Sequence, residues 1–225
     1  MIKETIGYLR ELRKNNNREW FKEHKERYDV LRARFEEDVQ QLILRISLFD
    51  PEIVGIQAKD CIYRIYRDIR FSPDKLPYKT YFSAYIARGG RKSERSGYYL
   101  HLEPDNTLLS GGVWCPPPSL LKMLRKAVYD HAEEFEEILE EPSFKEAFPL
   151  MKGEVLQRVP QPFPKDAPCA DLLKRKDYVV VGNKPESFFE QEGWIDASAR
   201  EFEKMLPFNR FLNYTVDEYL GRVDD

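Results

Sequence analysis

A chain of 225 residues is long enough to bury a core of its own, and 42% apolar with 33% charged residues excludes a disordered polymer. Its 36 Lys/Arg against 39 Asp/Glu leave a net charge of −3, which excludes a chain-wide basic field for nucleic acid or membrane surfaces. Three cysteines, Cys61, Cys115 and Cys169, are odd in number and far apart; they exclude a disulfide framework and point to free thiols in a reducing compartment.

The first residues, MIKETIGYLRELRKNNN, lack the apolar core of a signal peptide, and no apolar run reaches the roughly 18–20 residues that cross a bilayer. The expected setting is the cytoplasm, with no membrane partner. No Gly/Ser linker, low-complexity tract or internal repeat interrupts the chain, so residues 1–225 are expected to form a single α+β domain.

Residues 3–13 read as a short helix. Asn16 or Asn17 is the expected N-cap of a long second helix, with Glu19 three residues after Asn16 in capping-box spacing. Trp20, His24, Leu31, Phe35, Val39, Leu42 and Ile46 form its apolar stripe, and Asp50-Pro51 stops it. The period then changes. CIYRIYRDIRF (61–71) alternates as a strand, DKLPY (74–78) is a turn, and TYFSAYIAR (80–88) is a second strand. GGRKSERS (89–96) is a charged hairpin loop, GYYLHLE (97–103) a third strand, and TLLSGGVW (107–114) a fourth. Short connections make these four an antiparallel meander. Gly111-Gly112 marks a bulge or a close backbone approach.

Pro116–Pro118 and Ser119 open another long helix, reaching about Glu140 and carrying His131 on its apolar stripe. Residues 130–146 hold eight acids and one lysine, read as a solvated helix face. A short helix is expected over 144–150, a Pro-punctuated extended run over 155–168 and a helical turn at 170–176. YVVVG (178–182) is a fifth strand, and 186–222 are mostly helical. The predicted fold class is α+β: a mostly antiparallel sheet, four-strand meander plus a later strand, with several helices packed on it, two of them long.

One segment carries chemistry. Residues 59–101 hold ten Lys/Arg and four acids, a local +6 inside a chain of −3. On the 61–71 strand, one face carries Cys61, Tyr63, Ile65, Arg67, Ile69 and Phe71, and Arg67 breaks its apolar character. A guanidinium there needs a carboxylate, so Arg67 is assigned to a buried structural ion pair. The other face carries Arg64, Tyr66, Asp68 and Arg70. Arginine suits bidentate contact with phosphate or carboxylate, and tyrosine adds a hydroxyl and a flat ring. Arg64, Tyr66, Arg70, Lys75, Tyr78 and Lys79 are thus the expected ligand-binding residues for a small anion. His101 and Asp68 are the two titratable groups placed for acid–base work on the exposed sheet face; an arginine beside Asp68 would weaken it as a base. Whether the protein is an enzyme stays open.

The run RIYRDIRFSPDKLPYKT (64–80) resembles the signature of a family of conserved hypothetical proteins, domain of unknown function 2461. The resemblance continues through NNREWFKEHKERYD (16–29), GYYLHLEPDN (97–106), GGVWCPPPSLLKMLR (111–125) and LLKRKDYVV (172–180), nearly the whole chain. It implies no established activity. It marks Arg64, Arg67, Asp68, Arg70, Asp74, Lys75, Pro77, Tyr78, Lys79 and Arg125 as characteristic positions. The chain departs from the family at RVPQPFPKDAP (158–168), where Pro162 and Ala167 stand in places that tend to hold Gly and His.

Three histidines and three cysteines without metal-ligand spacing give no metal site, and isolated Gly pairs complete no nucleotide fingerprint, so no cofactor is expected. Cys61 and Cys115 have no histidine nearby in sequence to activate them. The leading reading is binding of a small phosphorylated or carboxylated ligand on a basic, Tyr-rich sheet face. One alternative is an interaction module, with the +6 surface docking an acidic partner or the 130–146 helix of another copy in a homo-oligomer. The other is nucleic-acid association through basic residues interleaved with tyrosines, disfavoured by the acidic pI near 5.8.

Overall fold

The computed structural model describes residues 2–70 and 72–221, so Phe71 and Arg222, expected to end a strand and a helix, lie outside the described residues. Among the described residues, eleven α-helices and one open antiparallel sheet of five strands make an α+β protein. The strands are β1 (Phe82–Ile86), β2 (Gly97–Leu102), β3 (Leu108–Val113), β4 (Leu150–Lys152) and β5 (Tyr178–Asn183), in the order β1-β2-β3-β5-β4. β1, β2 and β3 form the expected meander and β5 is the expected later strand. β4 replaces residues 61–71 as the remaining member; it pairs with β5 through Leu150–Val181, Met151–Val180 and Lys152–Val179.

Of the expected 61–71 strand, Cys61 ends a short helix, Ala58–Cys61, and residues 62–70 form no strand but make isolated bridges, Ile62 to Ala84 and Tyr66 to Tyr78. The cause lies in the opposite segment, 73–80, where Pro73 and Pro77 have no N–H to donate. Arg67 N–H donates to the Pro77 carbonyl at 3.0 Å, but Pro77 has no N–H to return to Arg67, and the pairing reduces to this bond and Lys79 N–H to the Ile65 carbonyl. Alternation survives without the ladder: Arg64, Tyr66, Asp68 and Arg70 are exposed, whereas Ile65, Arg67 and Ile69 are buried or half-buried.

Two compact units divide the chain. The first comprises residues 1–91, 99–109 and 183–200. It contains α1 (Ile2–Lys14), α2 (Arg18–Glu23), α3 (Lys25–Ile46) and the short α4 (Ala58–Cys61). Asn17 is the cap of α2, its side chain accepting from Trp20 N–H at 2.9 Å. The long second helix is broken at His24, whose φ of −105° and ψ of 16° leave the helical region. His24 Nδ1 sits 2.8 Å from the Trp20 carbonyl and its ring stacks on Trp20 at 4.0 Å, so the break is stabilised locally. Phe82 of β1 packs on Tyr28 and Phe35 of α3, at 6.0 and 5.3 Å between ring centres. Each such buried ring contributes about 1.5–3 kcal/mol by leaving water. Even-numbered residues of β1 therefore face the helices, and the odd ones, Ser83 and Tyr85, face away, as does Tyr81 just before the strand.

The second unit comprises residues 92–98, 110–182 and 201–225. Its helices include α5 (Pro118–Asp130), α6 (Ala132–Glu140), α7 (Pro142–Ala147) and α8 (Ala170–Leu173). α9 (Glu186–Glu190) belongs to the first unit, α10 (Trp194–Lys204) is shared by both, and α11 (Leu206–Tyr219) closes the second. The expected single helix to Glu140 is again broken at a histidine, His131, with φ of −125°. His131 is exposed rather than packed on the stripe. Phe135 is the hub of this core, with Phe211 at 4.6 Å and Phe208 at 5.7 Å. Gly112 has φ of +118°, and a Cβ there would lie 2.0 Å from the Tyr178 carbonyl oxygen, so the Gly pair is a close approach of β3 to β5. The 89–96 loop joins the neighbouring strands β1 and β2, as expected of a hairpin, but not all of its charge faces water. Arg95 is 2% exposed and ion-paired to Asp217 of α11, and Ser96 is buried beside it.

Candidate functional site

The site begins with the connection between α1 and α2. Asn16 brackets the backbone of Tyr78: its Nδ2 donates to the Tyr78 carbonyl at 2.9 Å, and its Oδ1 accepts from Tyr78 N–H at 3.1 Å. This anchors the Pro-rich turn and sends the Tyr78 ring inward, stacked on Phe21 at 4.0 Å. Tyr78 is therefore a core residue. Lys79, next in the chain, is held by its N–H to the Ile65 carbonyl at 2.8 Å, and its side chain joins the opposite layer.

There the Lys79 ammonium lies over two rings, 5.1 Å from Tyr63 and 5.5 Å from Tyr81. Tyr63 is positioned by its N–H bond to the Ser83 carbonyl of β1. Tyr81 also packs on the His101 ring at 4.5 Å. His101 is not on an open sheet face, being only 8% exposed, because these aromatic side chains cover it. Its Nδ1 meets the Tyr99 hydroxyl at 2.9 Å and its Nε2 meets Glu103 at 3.3 Å. A neutral imidazole with its proton on Nε2 satisfies both: Tyr99 donates to Nδ1, and Nε2–H donates to Glu103. Glu103 also accepts from Thr80 and Asn106, each at 2.9 Å.

The electrostatics follow from this packing. Burial pushes the Lys79 ammonium below its ordinary pKa, and the guanidinium groups of Arg64 and Arg67 push the same way. Burial lowers His101 as well, against the pull of Glu103. Burial raises Glu103, but donors from Asn106, His101 and Thr80 outweigh it and hold the carboxylate below its ordinary value. Tyr63, Tyr81 and Tyr99 are all raised by burial, so each remains a phenol near neutrality.

Most other cations of the basic segment are internally engaged. Arg67 donates to Asp74 at 2.6 Å and to the Leu76 carbonyl at 3.2 Å; the Asp74 carboxylate is half exposed. Arg70 forks onto Asp68 at 2.6 and 3.0 Å, which lowers Asp68 and removes it as a base near neutrality. Lys75 caps the Ile69 carbonyl at 3.0 Å. Arg91 grips the carbonyls of Lys59 and Asp60 at 3.0 and 2.9 Å. Lys59, Arg64, Lys79 and Lys92 have no carboxylate of the described residues within ion-pair distance, and of these four Lys79 alone is half-buried. Tyr66, 45% exposed, sits beside Phe21 and Tyr78.

The structure thus brings together Lys79 and His101 of the expected residues and adds Tyr63, Tyr81, Tyr99 and Glu103. The added residues share the odd-numbered faces of β1 and β2 or border them, so strand alternation carried that signal. Asn16 had none, since its partner lies 62 residues away. Arg125 is a bracket in the second unit, donating to the Arg175 carbonyl at 2.7 Å, and Ala167 is buried. Burial pushes the Cys61 thiol up to about 12 and also raises Cys115, so neither is a ready thiolate. Among the described residues, no group of three or more His, Cys, Asp or Glu is arranged to hold a metal. No helix among them is long and apolar enough to cross a membrane.

No curated protein and no solved structure matches the chain. Residues 4–211 match the model of the conserved hypothetical proteins of domain of unknown function 2461, and the chain belongs to that family.

Proposed function

We propose that this protein binds a small phosphorylated or carboxylated ligand at the layer formed by Tyr63, Lys79 and Tyr81, with Arg64 as a second cation. One observation carries the reading. Lys79 is a half-buried ammonium over two aromatic faces, with no carboxylate of the described residues in reach. Taking a charge out of water without a counter-charge costs several kcal/mol, and a bound anion offsets that cost. The tyrosine rings add flat apolar walls that suit the carbon skeleton of such a ligand. Arg70, Lys75 and Tyr78 drop from the ligand-facing set: the first two are tied within the 67–76 loop and the third lies in the core.

Calorimetric titration of the wild type with inorganic phosphate, nucleoside monophosphates and di- and tricarboxylates tests the reading. At a hundredfold excess over Kd, a true ligand also stabilises the fold by about 2.7 kcal/mol. Lys79→Ala and Arg64→Ala are expected to weaken binding at least tenfold, and Arg70→Ala to leave it within twofold. Equal affinity in Lys79→Ala and wild type, or no anion bound below millimolar, overturns the reading.

A further inference from the structure

The second unit contains a groove that has no part in the anion layer. Its walls are α5, α6 and α11, with the start of α7 at one end, and its volume is about 1280 Å³. The floor is apolar: Met123, Ala127, Ile138, Leu206 and Phe211 are each half-buried there. The rim is acidic: Glu134, Glu137, Glu203 and Glu218 are exposed along it. Six carboxylates and three Lys or Arg line the groove in all. Two of those three cations are already engaged, Lys126 with Asp130 and Lys204 with Glu201, so the uncommitted carboxylates dominate the rim. Tyr214, 73% exposed, stands on the α11 wall and supplies an aromatic of the kind that anchors interfaces.

We infer that this groove is a docking site for a basic amphipathic helix of a partner protein. Three observations select that occupant. First, three turns of helix, at a pitch of 5.4 Å and a diameter near 10 Å, occupy roughly 1,300 Å³, the size of the groove. Second, a floor of aliphatic and aromatic side chains suits a helix with apolar residues at i, i+3, i+4 and i+7. Third, the carboxylate rim matches Lys and Arg flanking that stripe and disfavours an acidic helix. A second copy is a poor occupant, because three of the four cations of the chain's own 88–96 loop are engaged and only the exposed Lys92 is left to meet the rim. Arg88 faces Glu52, Arg91 holds two carbonyls, and Arg95 is buried on Asp217.

The test uses the full chain and a fluorescein-labelled 14-residue helix with Leu on one face and Lys on the other. Its comparisons are the same peptide with Glu for Lys and a scrambled Leu/Lys peptide. Fluorescence polarisation is expected to show micromolar binding of the Leu/Lys helix, weakened at least tenfold by 300 mM salt or by the Glu exchange. Two variants separate the contributions. Glu134→Lys with Glu137→Lys removes the rim charge, and Phe211→Ala with Tyr214→Ala removes the apolar anchor; each is expected to weaken binding at least tenfold. Circular dichroism checks that the variants keep their helices. The inference is overturned by any of three results: no binding of the Leu/Lys helix, equal binding of the acidic or scrambled peptide, or affinity unchanged in both variants. A dimer in sedimentation that the Glu134/Glu137 variant dissociates would assign the groove to a second copy instead, and would equally overturn it.

Discussion

Lys79 is held between two demands, since its site excludes water yet provides no counter-charge. Burial and two nearby guanidinium groups lower its pKa from 10.5. Anion binding should therefore weaken as pH climbs through a value below that of an ordinary lysine. Lys79→Arg keeps the charge at every accessible pH and should carry binding to higher pH. Titrations between pH 7 and pH 10 check this; identical pH profiles for the two proteins would exclude Lys79 as the charge that matters. Asp38 of α3 presents the reverse case. It is buried, and desolvation raises its pKa from 3.8 to about 6. Its folded pKa exceeds the unfolded value, so it contributes an unfavourable charge that grows as pH rises through 4 to 6 and is full above that. The gap corresponds to as much as about 3 kcal/mol. Asp38→Asn should thus stabilise the fold at pH 7 by one to a few kcal/mol, roughly, and leave it unchanged near pH 3.5. Urea denaturation at the two pH values reads the difference.

α11 shows how an element can be fixed by polar residues that sequence patterns undervalue. Asn209, Asn213 and Asp217 recur every four residues and so lie on one helix face. Asn213 accepts from Ser96 N–H at 2.7 Å and donates to the Ser96 carbonyl at 3.0 Å; Asn209 accepts from the Ser96 hydroxyl at 2.6 Å. Asp217 takes the buried Arg95. Asp217→Asn removes a carboxylate from the desolvated Arg95 guanidinium and should cost up to about 3–5 kcal/mol. Arg95→Met with Asp217→Leu removes both charges and should cost far less. Melting temperatures of the two variants decide it, and an equal loss in both would show that the charges are not coupled. In sequence, Arg95 sits in a polar loop between glycines and a strand, and its partner is 122 residues away, so nothing local marks it as buried. β1, β2, β3 and β5 were legible because their alternation is local. The 61–71 strand misled because its own pattern is strand-like, whereas prolines in the facing segment deny it a ladder. The breaks at His24 and His131 were hidden because one non-helical residue barely shifts a hydrophobic stripe. At the site, Arg64, Lys79 and His101 could be named from residue type. Which tyrosines surround them depended on which face of β1 meets the helices.

Across the molecule, charge looks segregated in sequence, +6 over 59–101 and net acidic over 130–146, but folding spends most of the basic excess internally. Exposed pairs such as Arg70–Asp68 are screened by solvent and contribute little, so pH dependence should be governed by buried groups rather than the surface. Two of these oppose one another. His101 has a folded pKa depressed from 6.5 by burial, so the unfolded chain binds its proton first, and stability falls as pH drops below about 6.5. Asp38, with its pKa raised to about 6, binds a proton more readily when folded, and stability rises as pH drops through the same window. The two contributions therefore oppose one another below pH 6.5, and the wild-type slope is the difference between them. Asp38→Asn should uncover the His101 slope, a loss of up to about 1.4 kcal/mol for each pH step downward. His101→Asn lowers stability everywhere by losing the Tyr99 and Glu103 contacts, but its slope should invert, with stability increasing toward acid. Urea midpoints of the three proteins across that interval read the slopes directly. Parallel curves for wild type and both variants would mean that neither group exchanges its proton on unfolding, and that the aromatic layer around His101 is more open to water than its packing indicates.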